Sequence, residues 1–195
     1  MRTTAIPTLA LLCLLTACHA NDPAIRDPGN PPPMEFPSVD GQTMRPLDAP
    51  RGVRAVVLIF IATDCPVSNA YAPETNRNID EYGRKGVAFR LVYAEPTTKA
   101  ADAGTHLKEY GYHAPALLDH DQRLVRLTGA SATPTAVIFL PDQHWVYRGR
   151  IDDRYVDFGK SRPDPTRRDL RDALDAVLSG KPVSTATTEV IGCPI

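Results

Sequence analysis

A nearly uninterrupted apolar segment, residues 53–62, constrains the fold of this chain more than any other feature of its sequence. The segment is rich in valine and isoleucine, which is typical of a central strand buried on both faces. The turn Thr63-Asp64-Cys65-Pro66 follows it, and the next residues predict a helix to about Tyr82. Pro66 suits the first turn of that helix, where no backbone N–H is needed. The sequence therefore predicts a strand-to-helix turn that carries a cysteine.

Strand and helix patterns alternate along the rest of the chain, in the predicted order β-β-α-β-α-β-α-β-β-α. We interpret Thr166 and Asp169 as a capping box for the last helix, and residues 152–154 as a solvated charged loop. The alternation predicts an α/β fold with a mostly parallel central sheet, helices on both faces and an antiparallel closing hairpin. The remaining predicted strands are 36–41, 87–93, 116–118, 135–140 and 145–150, and the remaining helices are 99–110, 122–127 and 166–179.

The first 35 residues differ from the rest. One positive charge, a short apolar run and small residues precede Cys18, and this pattern indicates a cleaved signal peptide. Leu15-Thr16-Ala17-Cys18 resembles a bacterial lipobox, which implies a lipid on Cys18, a membrane anchor and a location in the cell envelope. The alternative is a plain secretory signal with a chance cysteine. We expect a signal peptide at 1–17, a proline-rich tether at 18–35, a domain at 36–180 and a tail at 181–195.

Two thiols remain for chemistry in such a mature chain, Cys65 and Cys193, because Cys13 leaves with the signal and Cys18 carries lipid. Outside the cytosol, two such thiols form a disulfide or exchange with a partner. The start of a helix lowers the pKa of a cysteine, and the thiolate is the nucleophile. We therefore predict that Cys65 is a nucleophile with a lowered pKa. The alternative is a buried structural cysteine.

The segment VLIFIATDCPVS, residues 57–68, resembles the active-site strand and turn of thioredoxin-like redoxins, a group that includes the AhpC/TSA and TlpA-like families. Pro73 is similar to their helix-kinking proline, and Thr133-Pro134 resembles their cis-proline loop. The resemblance covers about residues 36–180 and implies a thioredoxin-like fold. In that fold the cis proline lies against the active cysteine and helps to receive a peptide. The substrate-binding residues implied in this way are Pro66, Ser68, Thr133 and Pro134.

The chain departs from these relatives at three places. Ser68 replaces the second cysteine of the thioredoxin CxxC motif, so no disulfide forms across that turn. Ala62 and Leu58 stand where peroxiredoxins have a threonine or serine and a proline. Sco-type copper chaperones pair two nearby cysteines with a histidine beside the Thr-Pro loop, whereas residues 131–133 contain no histidine.

We predict thiol–disulfide exchange with protein or small-molecule thiols, with Cys193 as the resolving partner of Cys65. Glu95, at the end of a buried strand, is a candidate proton shuttle, with capping or solvent exposure as the alternative. Alternative functions are a thiol peroxidase, or a copper-binding or delivery protein that uses Cys65 and Cys193. Cys193 also has the alternative of pairing with another chain. The histidines show no metal-ligand spacing, the net charge is −1, and we expect no cofactor and no nucleic acid partner.

Overall fold

Five strands form the central sheet in the computed structural model, which describes residues 34–195. In spatial order they are β5 (Ala116–Leu118), β4 (Val87–Tyr93), β3 (Ala55–Ile61), β7 (Thr135–Phe139) and β8 (Trp145–Gly149). The pairs β3–β4 and β4–β5 are parallel, whereas β3–β7 and β7–β8 are antiparallel. The sheet is therefore mixed, and the predicted antiparallel closing hairpin is confirmed. The signal peptide and Cys18 lie outside the described residues.

Helices and three small strand pairs surround this sheet. The helices are α1 (Pro66–Ala70), α2 (Ala72–Gly83), α3 (Ala100–Glu109), α4 (Arg123–Thr128) and α5 (Asp169–Leu178). The small antiparallel pairs are β1 (Phe36–Pro37) with β2 (Thr43–Met44), β6 (Ala132–Thr133) with β11 (Cys193–Pro194), and β9 (Tyr155–Asp157) with β10 (Lys160–Ser161). Within residues 34–195, no helix is both long enough and apolar enough to cross a membrane.

Strand β3 is buried along its whole length, as the apolar run predicts. Val57, Ile59 and Ile61 pack with residues of α1, α2, α3 and α5 on one face of the sheet. The alternate residues of the strand pack with α4 and the segment around Phe36 on the other face. Full burial of an aliphatic side chain contributes about 1.5–3 kcal/mol, so β3 is fixed firmly in position. Its carboxyl end, where Cys65 follows, is equally fixed.

The single helix predicted after Cys65 is two helices, which meet at Tyr71. Pro73 lies in the first turn of α2, where its missing N–H breaks no hydrogen bond. Inside one continuous helix the same proline would remove a hydrogen bond and clash with the preceding turn. Because of this break, α1 is a separate helix of five residues that begins directly after Cys65.

The capping box predicted at Thr166 is wrong. Helix α5 begins at Asp169, which forms an ion pair with Arg150 at 2.7 Å. Thr166 instead donates both its N–H and its hydroxyl to Asp153, at 2.7 and 2.5 Å. Asp153 is buried, and so is Asp152, so the interpretation of residues 152–154 as a solvated loop is also wrong. The carboxylate of Asp153 accepts three hydrogen bonds, from Thr166 and Arg167, which offset its removal from water.

The tail packs along β8 before it crosses to β6. The N–H of Arg148 donates to the carbonyl of Ala186 at 2.8 Å, and the N–H of Thr188 donates to the carbonyl of Arg148 at 3.1 Å. Thr188 Oγ1 also accepts the N–H of Arg150 at 3.0 Å. A Cβ built on Gly149 would lie 2.0 Å from Thr188 Oγ1. Glycine is therefore required where the tail crosses this strand.

The substitution Gly149→Ala should detach the tail from β8, because the added Cβ overlaps Thr188. The loss of two to three hydrogen bonds should lower the free energy of unfolding by about 1–3 kcal/mol. Urea denaturation measures this loss, and hydrogen exchange at the amides of Arg148 and Thr188 shows where it occurs. Gly83→Ala is the matched control, since a Cβ at Gly83 meets nothing within 4 Å. Unchanged protection of both amides in Gly149→Ala would contradict this account of the tail.

Candidate active site

Cys65 is fully buried and is the N-cap residue of α1, so its predicted position at a helix start is confirmed. Its sulfur accepts the backbone N–H of Ser68 at 3.3 Å. The backbone at Cys65 is extended, with φ −85° and ψ 107°, as is usual for an N-cap residue. Pro66 occupies the first turn beside it and is exposed. The turn thus supplies one hydrogen bond to Sγ directly from the backbone.

The Thr133–Pro134 peptide bond is cis, as predicted from the Thr-Pro loop. In the thiol form, Cys65 Sγ donates to the carbonyl of Thr133 at 3.3 Å, so the loop and the cysteine are in contact. The hydroxyl of Ser68 is buried and has no hydrogen-bond partner among residues 34–195. The structure therefore brings Ser68, Thr133 and Pro134 together at Cys65.

Strand β11 brings Cys193 to the same loop. Cys193 pairs with Thr133 and Pro194 with Ala132, and the N–H of Ile195 donates to the carbonyl of Ser131 at 3.0 Å. Thr133 is therefore the common neighbour of the two cysteines, because it pairs with Cys193 and its carbonyl accepts the Cys65 thiol at 3.3 Å. Both cysteines are free thiols in this structure. Two cysteines that lie 128 positions apart in the sequence thus form one site.

Gly192 permits this arrangement, and the sequence analysis missed it. A Cβ built on Gly192 would lie 1.9 Å from the carbonyl oxygen of Thr133 and 2.7 Å from its carbonyl carbon. No side chain fits between the tail and the Thr133 carbonyl. A glycine directly before a cysteine was the available signal, since glycine often marks a close approach of two backbones.

The two thiols have opposite pKa shifts. Burial raises the pKa of Cys65, but hydrogen bonds from the side chains of Cys193 and Thr133 and from the N–H groups of Ser68 and Cys193 outweigh it, so the net pKa lies below its ordinary value. Burial, the hydrogen bond to Cys65 and the charge of Cys65 raise the pKa of Cys193, and the carboxylate of Asp64 adds to this. The site therefore favours a thiolate on Cys65 and a protonated donor on Cys193. The predicted lowering of the Cys65 pKa is confirmed in direction.

A buried polar network supports the turn around Cys65. The side-chain amide of Asn69 donates to the carbonyl of Thr63 at 3.1 Å, and its oxygen lies 2.8 Å from His106 Nε2. His106 Nδ1 lies 2.8 Å from the hydroxyl of Tyr93. Burial lowers the pKa of His106, so the ring is neutral, with its proton on Nε2 facing the amide oxygen. Sequence reasoning treated His106 only as one of several scattered histidines, because its partners come from separate elements.

Glu95 is not brought to Cys65. It accepts the hydroxyl of Thr98 at 3.1 Å within its own turn and makes no hydrogen bond to Cys65 in the described part of the chain. Over the same residues, no three histidine, cysteine, aspartate or glutamate side chains are grouped as a metal site.

Comparisons with known proteins agree with this geometry. The AhpC/TSA family model matches residues 30–148, and the chain belongs to the AhpC/TSA family. It has the thioredoxin-like fold. An uncharacterised conserved protein from Geobacillus kaustophilus is 32% identical, with a TM-score of 0.71 over 84% of this chain and 88% of that chain. A hypothetical protein from Sinorhizobium meliloti is 29% identical, with a TM-score of 0.69 over 83% of this chain and 89% of that one.

A more distant structure shares the fold. A secreted Mycobacterium tuberculosis disulfide oxidoreductase homologous to E. coli DsbE is 16% identical, with a TM-score of 0.51 over 76% of this chain and 96% of that chain. No curated protein matches the chain.

The Cys193 thiol should be a main reason that Cys65 ionises easily. Cys65 should titrate below about 8.5, the value for a free cysteine. Cys193→Ala removes the donor and should raise the pKa of Cys65, whereas Cys193→Ser keeps an O–H donor and should raise it less. The ultraviolet absorbance of the thiolate, recorded against pH, gives the pKa of Cys65 in the unsubstituted protein and in both variants. Equal pKa values for the alanine and serine variants would contradict a role for this hydrogen bond.

Proposed function

We propose that this chain is an extracytoplasmic thiol–disulfide oxidoreductase in which Cys65 is the nucleophile and Cys193 resolves the mixed disulfide. One observation carries the proposal: Cys193 pairs with Thr133, whose carbonyl accepts the Cys65 thiol beside the cis Pro134, so both thiols belong to one site. A lowered pKa increases the fraction of Cys65 that is present as the nucleophilic thiolate. Membership of the AhpC/TSA family supports thiol chemistry at this turn.

The proposed exchange has two steps. The Cys65 thiolate attacks a substrate disulfide R–S–S–R′, the S–S bond breaks, and R′–S⁻ leaves with the electron pair while Cys65–S–S–R forms. Cys193 then loses its proton to solvent and attacks the Cys65 sulfur, so that R–S⁻ leaves and the Cys65–Cys193 disulfide forms. The substrate gains two electrons, and an external dithiol must reduce the chain again. The reverse sequence oxidises a substrate dithiol.

Ser68, Thr133 and Pro134 serve as the substrate-binding residues of this proposal. The buried hydroxyl of Ser68 has no partner among the described residues, so it is available to a substrate sulfur or to a leaving thiolate. Pro66 is exposed beside Cys65 and offers an apolar surface to the substrate. Glu95 has no part in the proposed steps, because it is hydrogen-bonded to Thr98.

A thiol peroxidase is the second candidate, and family membership favours it. In that reaction Cys65 would attack a peroxide to give a sulfenic acid and release hydroxide or alkoxide. Cys193 would then displace water and form the same disulfide. Ala62 and Leu58 stand where peroxiredoxins have a threonine or serine and a proline. Peroxide consumption that depends on Cys65 and exceeds the rate of disulfide exchange would favour this candidate over the first.

Removal of each cysteine should stop the exchange at a different step. Cys65→Ser should reduce the reaction with glutathione disulfide to the background rate. Cys193→Ser should still react once and then accumulate the Cys65–glutathione mixed disulfide, because nothing resolves it. Non-reducing mass spectrometry should find a peptide linking Cys65 to Cys193 within one oxidised chain. Two free thiols after mild oxidation, or only dimers linked between chains, would refute Cys193 as the resolving residue.

We also propose that a lipid on Cys18 holds the domain at a membrane, with the proline-rich tether at 18–35 as the spacer. Proline-rich tethers favour extended chain at about 3.1 Å per residue, which gives the domain reach from the bilayer. Cys18→Ser should move the protein from the membrane fraction to the soluble fraction. Cys13→Ser is the matched control and should remain membrane-bound. A Cys18→Ser protein that stays with the membrane would contradict the anchor.

A further inference from the structure

The nucleophile of this site is covered. Cys65 has no exposed surface, whereas Cys193 is half-buried. The segment that runs past it, residues 189–195, is called the strap below. The strap pairs with β6 through Cys193 and Pro194, and its Ile195 N–H donates to Ser131. A disulfide needs direct access to the Cys65 sulfur, so part of its cover must move before a substrate reacts, and the strap, whose Cys193 packs against the same core cluster, belongs to that cover.

Reaction through Cys193 first is a poor alternative. Its pKa is raised by burial and by Cys65, whereas the pKa of Cys65 lies below its ordinary value, so Cys65 ionises before Cys193. Since the thiolate is the attacking species, the substrate has to reach Cys65. The strap is well suited to move, because its strand pairing involves two residues while Thr188 remains attached to β8.

Departure of the strap leaves an unpaired strand edge at Ser131–Thr133, beside Cys65. An exposed edge of this kind binds an extended peptide by backbone hydrogen bonds. The strap shows the geometry of such an occupant: it is extended and antiparallel to β6, and its cysteine lies opposite Thr133. The residue before that cysteine has no room for a Cβ, which would lie 1.9 Å from the Thr133 carbonyl oxygen.

We propose that the strap is a tethered substrate mimic, and that the β6 edge it vacates binds extended peptides in which glycine immediately precedes the reacting cysteine. This inference rests on the proposed function and narrows its substrate class. The Cys65 thiolate attacks the peptide cysteine of a mixed disulfide, the Cys65–peptide disulfide forms, and the other thiolate leaves. The strap and the peptide compete for one edge.

The test uses the full chain with Cys193→Ser, which removes the resolving thiol. Two acetylated, amidated peptides, Val-Ile-Gly-Cys-Pro-Ile and Val-Ile-Ala-Cys-Pro-Ile, are prepared as mixed disulfides with a chromogenic aromatic thiol. Release of that thiol gives the rate constant. The glycine peptide should react at least about tenfold faster than the alanine peptide, a difference of about 1.4 kcal/mol in activation free energy. Glutathione, as a small nucleophile, should not distinguish the two peptides.

Two added substitutions test the strap itself. Gly192→Ala, in the Cys193→Ser chain, should displace the strap and raise the rate with the glycine peptide about tenfold. Gly83→Ala in the same chain is the matched control and should change the rate by less than about twofold, as expected of an open surface position. No increase in Gly192→Ala would show that the strap does not gate Cys65.

The outcomes separate this inference from the proposed function. Equal rates with the two peptides, while the symmetrical aromatic disulfide still reacts with Cys65, would overturn the glycine requirement and leave the oxidoreductase proposal standing. If Cys65 fails to react with the aromatic disulfide in the Cys193→Ser chain, with and without Gly192→Ala, the inference and the proposed function are both overturned. The comparison of peptides needs no substitution in the strap beyond Cys193→Ser, so it stands even if Gly192→Ala does not fold.

Discussion

The burial of strand β3 on both faces is the constraint on which the rest of the structure depends. Every residue from Ala55 to Ile61 is buried, and two separate layers of side chains pack against the strand. A strand held in this way cannot slip in register without exposing a full set of apolar side chains. Its carboxyl end is therefore fixed, and so is the turn that holds Cys65 between the strand and α1. Hydrophobic packing fixes the strand end, and the polar network of Asn69 and His106 then supports the turn that follows it.

The second cysteine arrives by a different kind of interaction. The tail is attached at two places where a glycine lets one backbone approach another, Gly149 at Thr188 and Gly192 at Thr133. These contacts contribute hydrogen bonds of about 1 kcal/mol each, far less than the packing of the core. The site thus joins a rigid nucleophile to a partner held by weak, separable contacts. In the proposed exchange, that difference in strength lets one thiol stay fixed while the other moves.

The sequence allowed the fold and Cys65 to be predicted because both depend on local patterns: an apolar run, a polar turn and a proline in the first helical position. The cis bond at Thr133–Pro134 was likewise predicted from a short motif. The start of α5 was not predicted correctly, because Thr166 forms its hydrogen bonds with Asp153 and does not cap the helix. The contact of Gly192 with Thr133 and the hydrogen bonds of His106 could not be predicted for the same reason. Contacts between segments far apart in the chain leave no periodic signal in either segment.

The charge distribution of the thiol pair changes in the course of the proposed exchange. In the reduced chain the Cys65 thiolate raises the pKa of Cys193 and keeps it protonated. Formation of a mixed disulfide on Cys65 removes that negative charge, and the hydrogen bond that Cys193 donates to it is lost as well. Both changes lower the pKa of Cys193, so the resolving thiol ionises more easily only after the first step has occurred. The order of the two reactions is therefore a consequence of their coupling, and it requires no additional base such as Glu95.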